Sequence, residues 1–458
     1  MTECKTNSEE KSSAPFQNTQ LNFSFIKRNQ RKKITVDFNG GEITSDAGWV
    51  LLRQVDERER LCEKISDAIV DRRNQFFIVH EMTHLIRQRV YQIAAGYEDC
   101  NDAGDLRRDP LLKAMAGDRK PDDDIDLASQ PTLCRLENRR GEWELEAIMK
   151  VFVELYTSRR SNPDYVILDI DPTDDVCHGN QQLSFFHGYY GEKIYHDLVI
   201  FDGESGELIT PILRPGNVHG SDGVIEVLEW LLPQLRSAWP NTEIIIRADG
   251  GLAVPRLYEY LEREGCWYVI GLITNDRLRQ FNKGAMREVE KIFDSTGERE
   301  QVFCEFEYQA GSWPNPRRVI GKAELLEKGP NQRFVVTNVP ETTPYAVYRF
   351  YRDRGEGAEN RIKEWKSMMH ADRLSCHKFY ANWFRMLLHS AAYVLMWSLK
   401  QRLEETEFEN STVETIRLKI IKLGARIRAS ARRLWIHCAS GYPYKNIWIH
   451  LHAQLAAG

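Results

Sequence analysis

The sequence predicts an α/β fold: a mixed sheet with a mostly β insertion, flanked by helical N- and C-terminal regions. Three observations predict it. Short β-branched runs bounded by turn residues recur between about 165 and 250. Helical periodicity dominates before 160 and after 345. Between them, from about 270 to 345, apolar and polar residues alternate as in half-buried antiparallel strands.

The 458 residues suggest two to four domains, and 42% hydrophobic with 28% charged residues describe a soluble globular chain. The net charge of -5 does not announce a nucleic-acid binder, although a basic face can hide inside an average. The nine cysteines are scattered and form no C-x-x-C, which argues against a zinc ribbon or a disulfide scaffold and for reduced thiols in the cytoplasm. The polar start carries no secretory signal. The most apolar stretch, "MLLHSAAYVLMWSL" (Met386 to Leu399), is short of the ~18–20 residues of a membrane span and reads as a buried core helix.

Taken in order, residues 1–40 read as a flexible tail, with five basic residues in the seven from Lys27 to Lys33. Residues 41–160 read as an all-helical domain. Thr44 or Ser45 is the candidate N-cap of its first helix, His80–Tyr97 is a periodic helix stopped by Gly96, and Gly141–Arg160 is another amphipathic one. "YVILDI", "KIYHDLVIFD", "LITPILRPGN" and "TEIIIRAD" read as strands, with a helix at Gly223–Leu235 between the last two. These make a core running over 161–270 and resuming at 346–400, interrupted by the β insertion at 271–345. Residues 401–458 read as a basic helical region. In it, Ser411–Ser440 holds seven Lys or Arg against the single acid Glu414, either as a surface stripe or as a contact to DNA phosphates.

The chemistry gathers where strands end. On a strand, Asp169 and Asp171 share one face. Side-by-side carboxylates repel unless a cation or water relieves them, and a hard divalent cation does so well. The bland alternative is a solvated turn, for which "DPTDD" is good chemistry. Asp249 ends a second apolar strand and is followed by Gly250 and Gly251. In open α/β sheets ligands bind at such carboxyl ends. Glu359 shares a helical stripe with Ile362 and Lys366. His178 and His187 are candidates for structural hydrogen bonding or a place near this site. Trp313 is a candidate for packing or for stacking on a flipped base.

The chain resembles the DDE transposases of bacterial insertion sequences, in particular the family numbered thirteen-eighty in DDE group 1. The likeness rests on "LIRQRVYQIAAGYEDCNDAGDLRRDP", "LASQPTLCRLEN", "LDIDPTDDVCHGNQ", "FHGYY", "LRPGN", "RADGG", "ENRIKE" and "ARRLWIH", in order from about 85 to 440. It implies an RNase H-like catalytic core with Asp171, Asp249 and Glu359 as catalytic and metal-binding residues, and Asp169 as the rival to Asp171. It implies two Mg²⁺ or Mn²⁺ ions, cleavage of DNA at the element's ends, and joining of the 3′-hydroxyls to target DNA. The implied partners are double-stranded DNA, as terminal inverted repeats and target, and a second copy of the chain on paired ends. The 41–160 region would bind DNA, and the protein would be cytoplasmic, nucleoid-associated when bound, with no membrane. The wider group's signature Y-x2-R-x3-E-x6-K fits Glu359 and Lys366, but Tyr351 and Arg354 sit one residue too far upstream. Glu356 is the alternative acid, and a bulge before Glu359 would absorb the extra residue. Tyr351, Arg354, Lys366, Arg426, Arg432 and Arg433 are the expected DNA contacts. The rival functions are a catalytically silent, transposase-derived DNA-binding protein and a metal-dependent nuclease that cuts without joining.

Overall fold

The computed structural model describes residues 21–23, 34–340 and 342–456. The basic run Lys27–Lys33 and most of the expected tail lie outside them. What is described there is a small antiparallel ribbon, β1 (Leu21–Phe23) on β2 (Ile34–Val36).

The 41–160 region is helical as expected, apart from the two-residue strand β3 (Ile43–Thr44) at its start. The first helix begins at Trp49, later than the expected Thr44 or Ser45 cap. Thr44 is taken up in a sheet instead, and Gly48 lies flat against Ile421, where a Cβ would collide with the backbone. Helix Met82–Ala94 stops at Gly96, whose φ of 86° suits glycine. Its Leu85, Ile86, Val90 and Tyr91 are buried. It packs against the long helix Phe379–Gln401, which is buried along nearly its whole length and contains the "MLLHSAAYVLMWSL" segment.

The centre is one nine-stranded sheet. Its strands are β4 (Tyr165–Val176), β5 (Phe185–His187), β6 (Glu192–Asp202), β7 (Leu208–Ile212), β8 (Glu243–Ala248), β9 (Trp267–Leu272), β10 (Gln301–Tyr308), β11 (Arg317–Leu326) and β12 (Gly329–Thr337). Their order is β10-β11-β12-β9-β8-β4-β6-β5, with β7 also on β6. β4–β8 and β8–β9 are parallel; the other pairs are antiparallel. Parallel neighbours need a crossover. Helix Val224–Ala238 lies between β7 and β8, and helix Pro255–Arg263 between β8 and β9.

Two expectations change. The 271–345 segment is not a separate β unit, because β12 pairs with β9 and so extends the main sheet. It also carries helices Asp276–Phe281 and Lys283–Thr296, the second packing Ala285, Met286 and Val289 on Ala323. The C-terminal region is not all helical. Residues 425–438 form a hairpin, β13 (Ala425–Ala429) and β14 (Leu434–Cys438), and β13 pairs with β3. The reason is the period of "ARIRA": Ala425 and Ile427 are buried while Arg426 and Arg428 face solvent, a strand's alternation of two. The last helix is Lys445–Ala456.

Candidate active site

β4 and β8 run parallel and stay paired only as far as Ile170 and Ala248. The next residues are Asp171 and Asp249, so the register sets the two aspartates side by side where the strands part. Beyond that point β4 continues, paired on its other side with β6 through Val176. The "DPTDD" segment is therefore strand, not turn. Pro172, which has no N–H to give, sits where β4 has lost its β8 neighbour.

Asp171 is buried and ion-paired with Arg354. Burial pushes its carboxyl up to about 7; Arg354 opposes this, while Asp249, Asp169 and Glu359 add to it. Asp249 caps the short turn Gly250–Leu252, its Oδ1 accepting from the Gly251 N–H at 2.9 Å. Glu359 is exposed on helix Pro344–Lys363, and its charge reaches Asp171.

The profile for the transposase DDE domain group 1 family matches residues 26–457. The chain belongs to this family. Among solved structures it is similar to piggyBac transposase in a synaptic complex with hairpin DNA, at 12% identity and a TM-score of 0.38, covering 83% of this chain and 81% of that one. No curated protein matches it.

Transposases of this family work with divalent metal ions. The donor chemistry suits them: Asp171, Asp249 and Glu359 offer carboxylate oxygens, and the charges of Asp249, Asp169 and Glu359 all bear on Asp171. The assembly is incomplete, however. Among the described residues no three His, Cys, Asp or Glu side chains stand close enough to hold one ion. Asp171 has a guanidinium against it instead.

The remaining expected residues of this transposase fall in different places. Asp169, 1% exposed, takes two hydrogen bonds from Arg247, at 2.6 and 2.8 Å, and one from Arg361 at 3.2 Å. Its charge is answered by the protein itself. Tyr351 lines a cavity of about 880 Å³ beside Asp249, together with His187, Tyr189, Tyr190 and His219. Gly271 makes room for it, since a Cβ there would meet the Tyr351 hydroxyl. Arg354 is buried and turned inward to Asp171. Lys366 also turns inward, donating to the Thr173 hydroxyl at 3.1 Å and to the Asp174 carbonyl, with Asp175 3.3 Å away. Neither is an open DNA contact in this arrangement. The bulge expected before Glu359 is absent: the helix runs unbroken from Pro344 to Lys363, and the wide π-helical turn follows at Glu364–Met368. Arg426, Arg432 and Arg433 are exposed on the hairpin, which belongs to a separate three-stranded sheet with β3. Trp313 is packed between Tyr258 and Tyr308, with ring centroids at 5.3 and 5.5 Å. His187 packs edge-on against His196 and tilted against Tyr190. His178 lies beyond the end of β4 and is exposed.

Sequence reasoning missed Arg247 and Arg361 as the partners of Asp169. It also missed the buried Asp175–Asp197 pair, in which burial and the facing Asp175 push the Asp197 carboxyl up. Arg247 stands opposite Asp169 in the β4–β8 register, and a register is not written in either strand alone.

Proposed function

We propose that this transposase cleaves DNA at the ends of an insertion sequence and joins the freed 3′-hydroxyls to target DNA, on an RNase H-like core. Asp171, Asp249 and Glu359 are its catalytic acids. The observation that carries this reading is the placement of Asp171 and Asp249 at the point where two parallel neighbours separate, with the charge of Glu359 acting on the same carboxyl. The sheet order supports the core assignment, because acids on two adjacent strands and a following helix is the layout of RNase H-like nucleotidyl transferases.

The three acids are the residues that would hold Mg²⁺ or Mn²⁺, two ions in the reading offered here. Bound there, such ions activate a hydroxyl nucleophile and stabilise the leaving oxygen. The chain's own part is positional. The β4–β8 pair fixes Asp171 on a strand and Asp249 directly after one, where its cap on the Gly250–Leu252 turn holds it. Arg354 neutralises Asp171 and must give way for that carboxylate to serve as a ligand. The aromatic cavity beside Asp249 gives a walled space at the site of cleavage. Asp169 is assigned to structure, as the counter-charge of Arg247 and Arg361, and Asp171 to chemistry.

The test uses labelled duplex carrying the element's ends and follows cutting, joining and binding separately. Asp171→Asn, Asp249→Asn and Glu359→Gln should each lose cutting by about a hundred-fold or more while binding is kept. Cutting by Asp249→Asn at the parental rate defeats the assignment. Nicks without joined product in the parent would make the protein a nuclease. Binding without cutting would make it a silent DNA-binding relative, a reading favoured by the inward turn of Arg354 and the unassembled acids.

A further inference from the structure

A second surface, built by the helical N-terminal region, carries charge that the catalytic site does not use. A groove of about 590 Å³ lies between the Val70–Arg73 segment, helix Gln130–Glu137 with the residues after it, and the start of helix Phe379–Gln401. Its lining holds six basic side chains, Arg72, Arg73, Arg135, Arg139, Arg140 and Lys378, against one acid, Asp71.

Two of the six are spoken for. Arg73 is clamped on Asp71 at 2.6 Å and on the His80 carbonyl at 2.8 Å, and Arg140 pairs with Glu144 at 3.0 Å. These two brace the walls. The other four, Arg72, Arg135, Arg139 and Lys378, are exposed, and no ion pair to any of them is found among the described residues. The crowding is felt inside the groove: burial first, then Arg72 and Arg73 among the neighbouring charges, hold the Arg140 guanidinium below its ordinary pKa. A chain with net charge -5 concentrates positive charge here.

Two further features bear on what covers this face. Phe76 and Phe77, 94% and 81% exposed, stand on the loop that rises from the Arg72–Arg73 wall. Adjacent large apolar side chains left this bare mark an interaction surface. At its other edge the groove includes Gln182, in the segment leaving β4, the strand of Asp171.

We propose that this groove binds the phosphate backbone of duplex DNA away from the cleaved bond, with Arg135, Arg139 and Lys378 as its phosphate contacts. The inference rests on the reading of the protein as a DNA-cutting transposase and adds the surface that holds the uncut flank. Unpaired guanidinium and ammonium groups along a groove are the chemistry that displaces the counterions of a polyanion.

The experiment measures anisotropy of a fluorescein-labelled duplex of mixed sequence with the full chain, across a salt series. It compares the parent with the triple variant Arg135→Gln, Arg139→Gln, Lys378→Gln. Each phosphate contact in duplex DNA contributes about 0.9 to the slope of log affinity against log salt, so the variant's slope should be shallower by about 2–3. Its affinity at moderate salt should fall at least about ten-fold, with unchanged circular dichroism and melting. A folded variant that keeps the parent's slope overturns the groove assignment, and leaves the groove to some other acidic ligand, while DNA binding by the parent still stands. If the variant fails to fold, the single changes Arg139→Gln and Lys378→Gln are read the same way, each expected to lower the slope by about one unit. A parent that binds no DNA overturns both this inference and the function it rests on.

Discussion

Replacing Asp169 by asparagine separates the two aspartates that share one strand face. The change is isosteric and removes a charge that is 1% exposed. It removes the negative charge and one of the two accepting oxygens, so Arg247, its side chain 4% exposed, loses its counter-charge and one of its bonds at 2.6 and 2.8 Å, and Arg361 loses the charge behind its bond at 3.2 Å. Breaking a buried pair from one side costs about 3–5 kcal/mol, because the surviving charge stays buried and uncompensated. Arg247 keeps its bond to the Phe350 carbonyl at 2.8 Å and its place over the Phe350 ring, which holds the cost to the lower part of that range. At about 2.1 cal/mol/K of unfolding entropy per residue, a chain of 458 residues loses roughly 1 °C of melting temperature per kcal/mol, so a fall of about 3–4 °C is expected by calorimetry. Adding Arg247→Met to Asp169→Asn should recover part of it, since the stranded guanidinium is then gone. Asp171→Asn should behave differently: cutting is lost, and the buried carboxyl that sits near pH 7 no longer has to ionise. An Asp169→Asn protein that melts like the parent, yet has lost cutting with DNA binding intact, would refute the division of labour and make Asp169 a ligand.

Two other perturbations probe the surroundings. The His80 pKa is lowered to about 4 by burial, Arg119, His84 and Arg73, so the folded state keeps it neutral. The unfolded chain takes up that proton near pH 6.5, so the contribution is complete above pH 6.5 and lost as pH falls toward 4. Because the group is only partly buried, the loss is discounted to about 1–2 kcal/mol. His80→Gln should flatten that part of the stability–pH curve in urea unfolding; a variant curve parallel to the parent's counts against it. Gly271→Ala places a methyl against the Tyr351 hydroxyl and 3.0 Å from the Gly250 N–H. Overpacking of this kind costs about 1–3 kcal/mol, and the shifted Tyr351 should slow cutting without weakening DNA binding. Cutting at the parental rate would remove Tyr351 from the site.

How much of this was legible follows from which physical signals a single strand or helix carries. The runs ending at Asp171 and Asp249 were legible because buried β-branched residues declare a strand wherever it pairs. The pairing itself was not: Asp169 and Asp171 are equivalent by alternation, and only the β4–β8 register, which puts Arg247 opposite Asp169, distinguishes them. The hairpin at 425–438 was misjudged because its charge was counted and its period was not; "ARIRA" repeats every two residues, and a helix would have buried one of its arginines. The mismatch around Glu359 is of a third kind. The extra residue in "RGEGAEN" was expected to bulge, but the helix absorbs it as rotation. Tyr351 and Arg354, three apart, keep a common side toward β9 and Asp171. Glu359, five beyond Arg354, is turned about 140° from it. One helix therefore cannot aim Arg354 at Asp171 and set Glu359 squarely beside the same carboxyl. That conflict, written into the spacing, is why the charge of Glu359 reaches Asp171 while its side chain stays exposed.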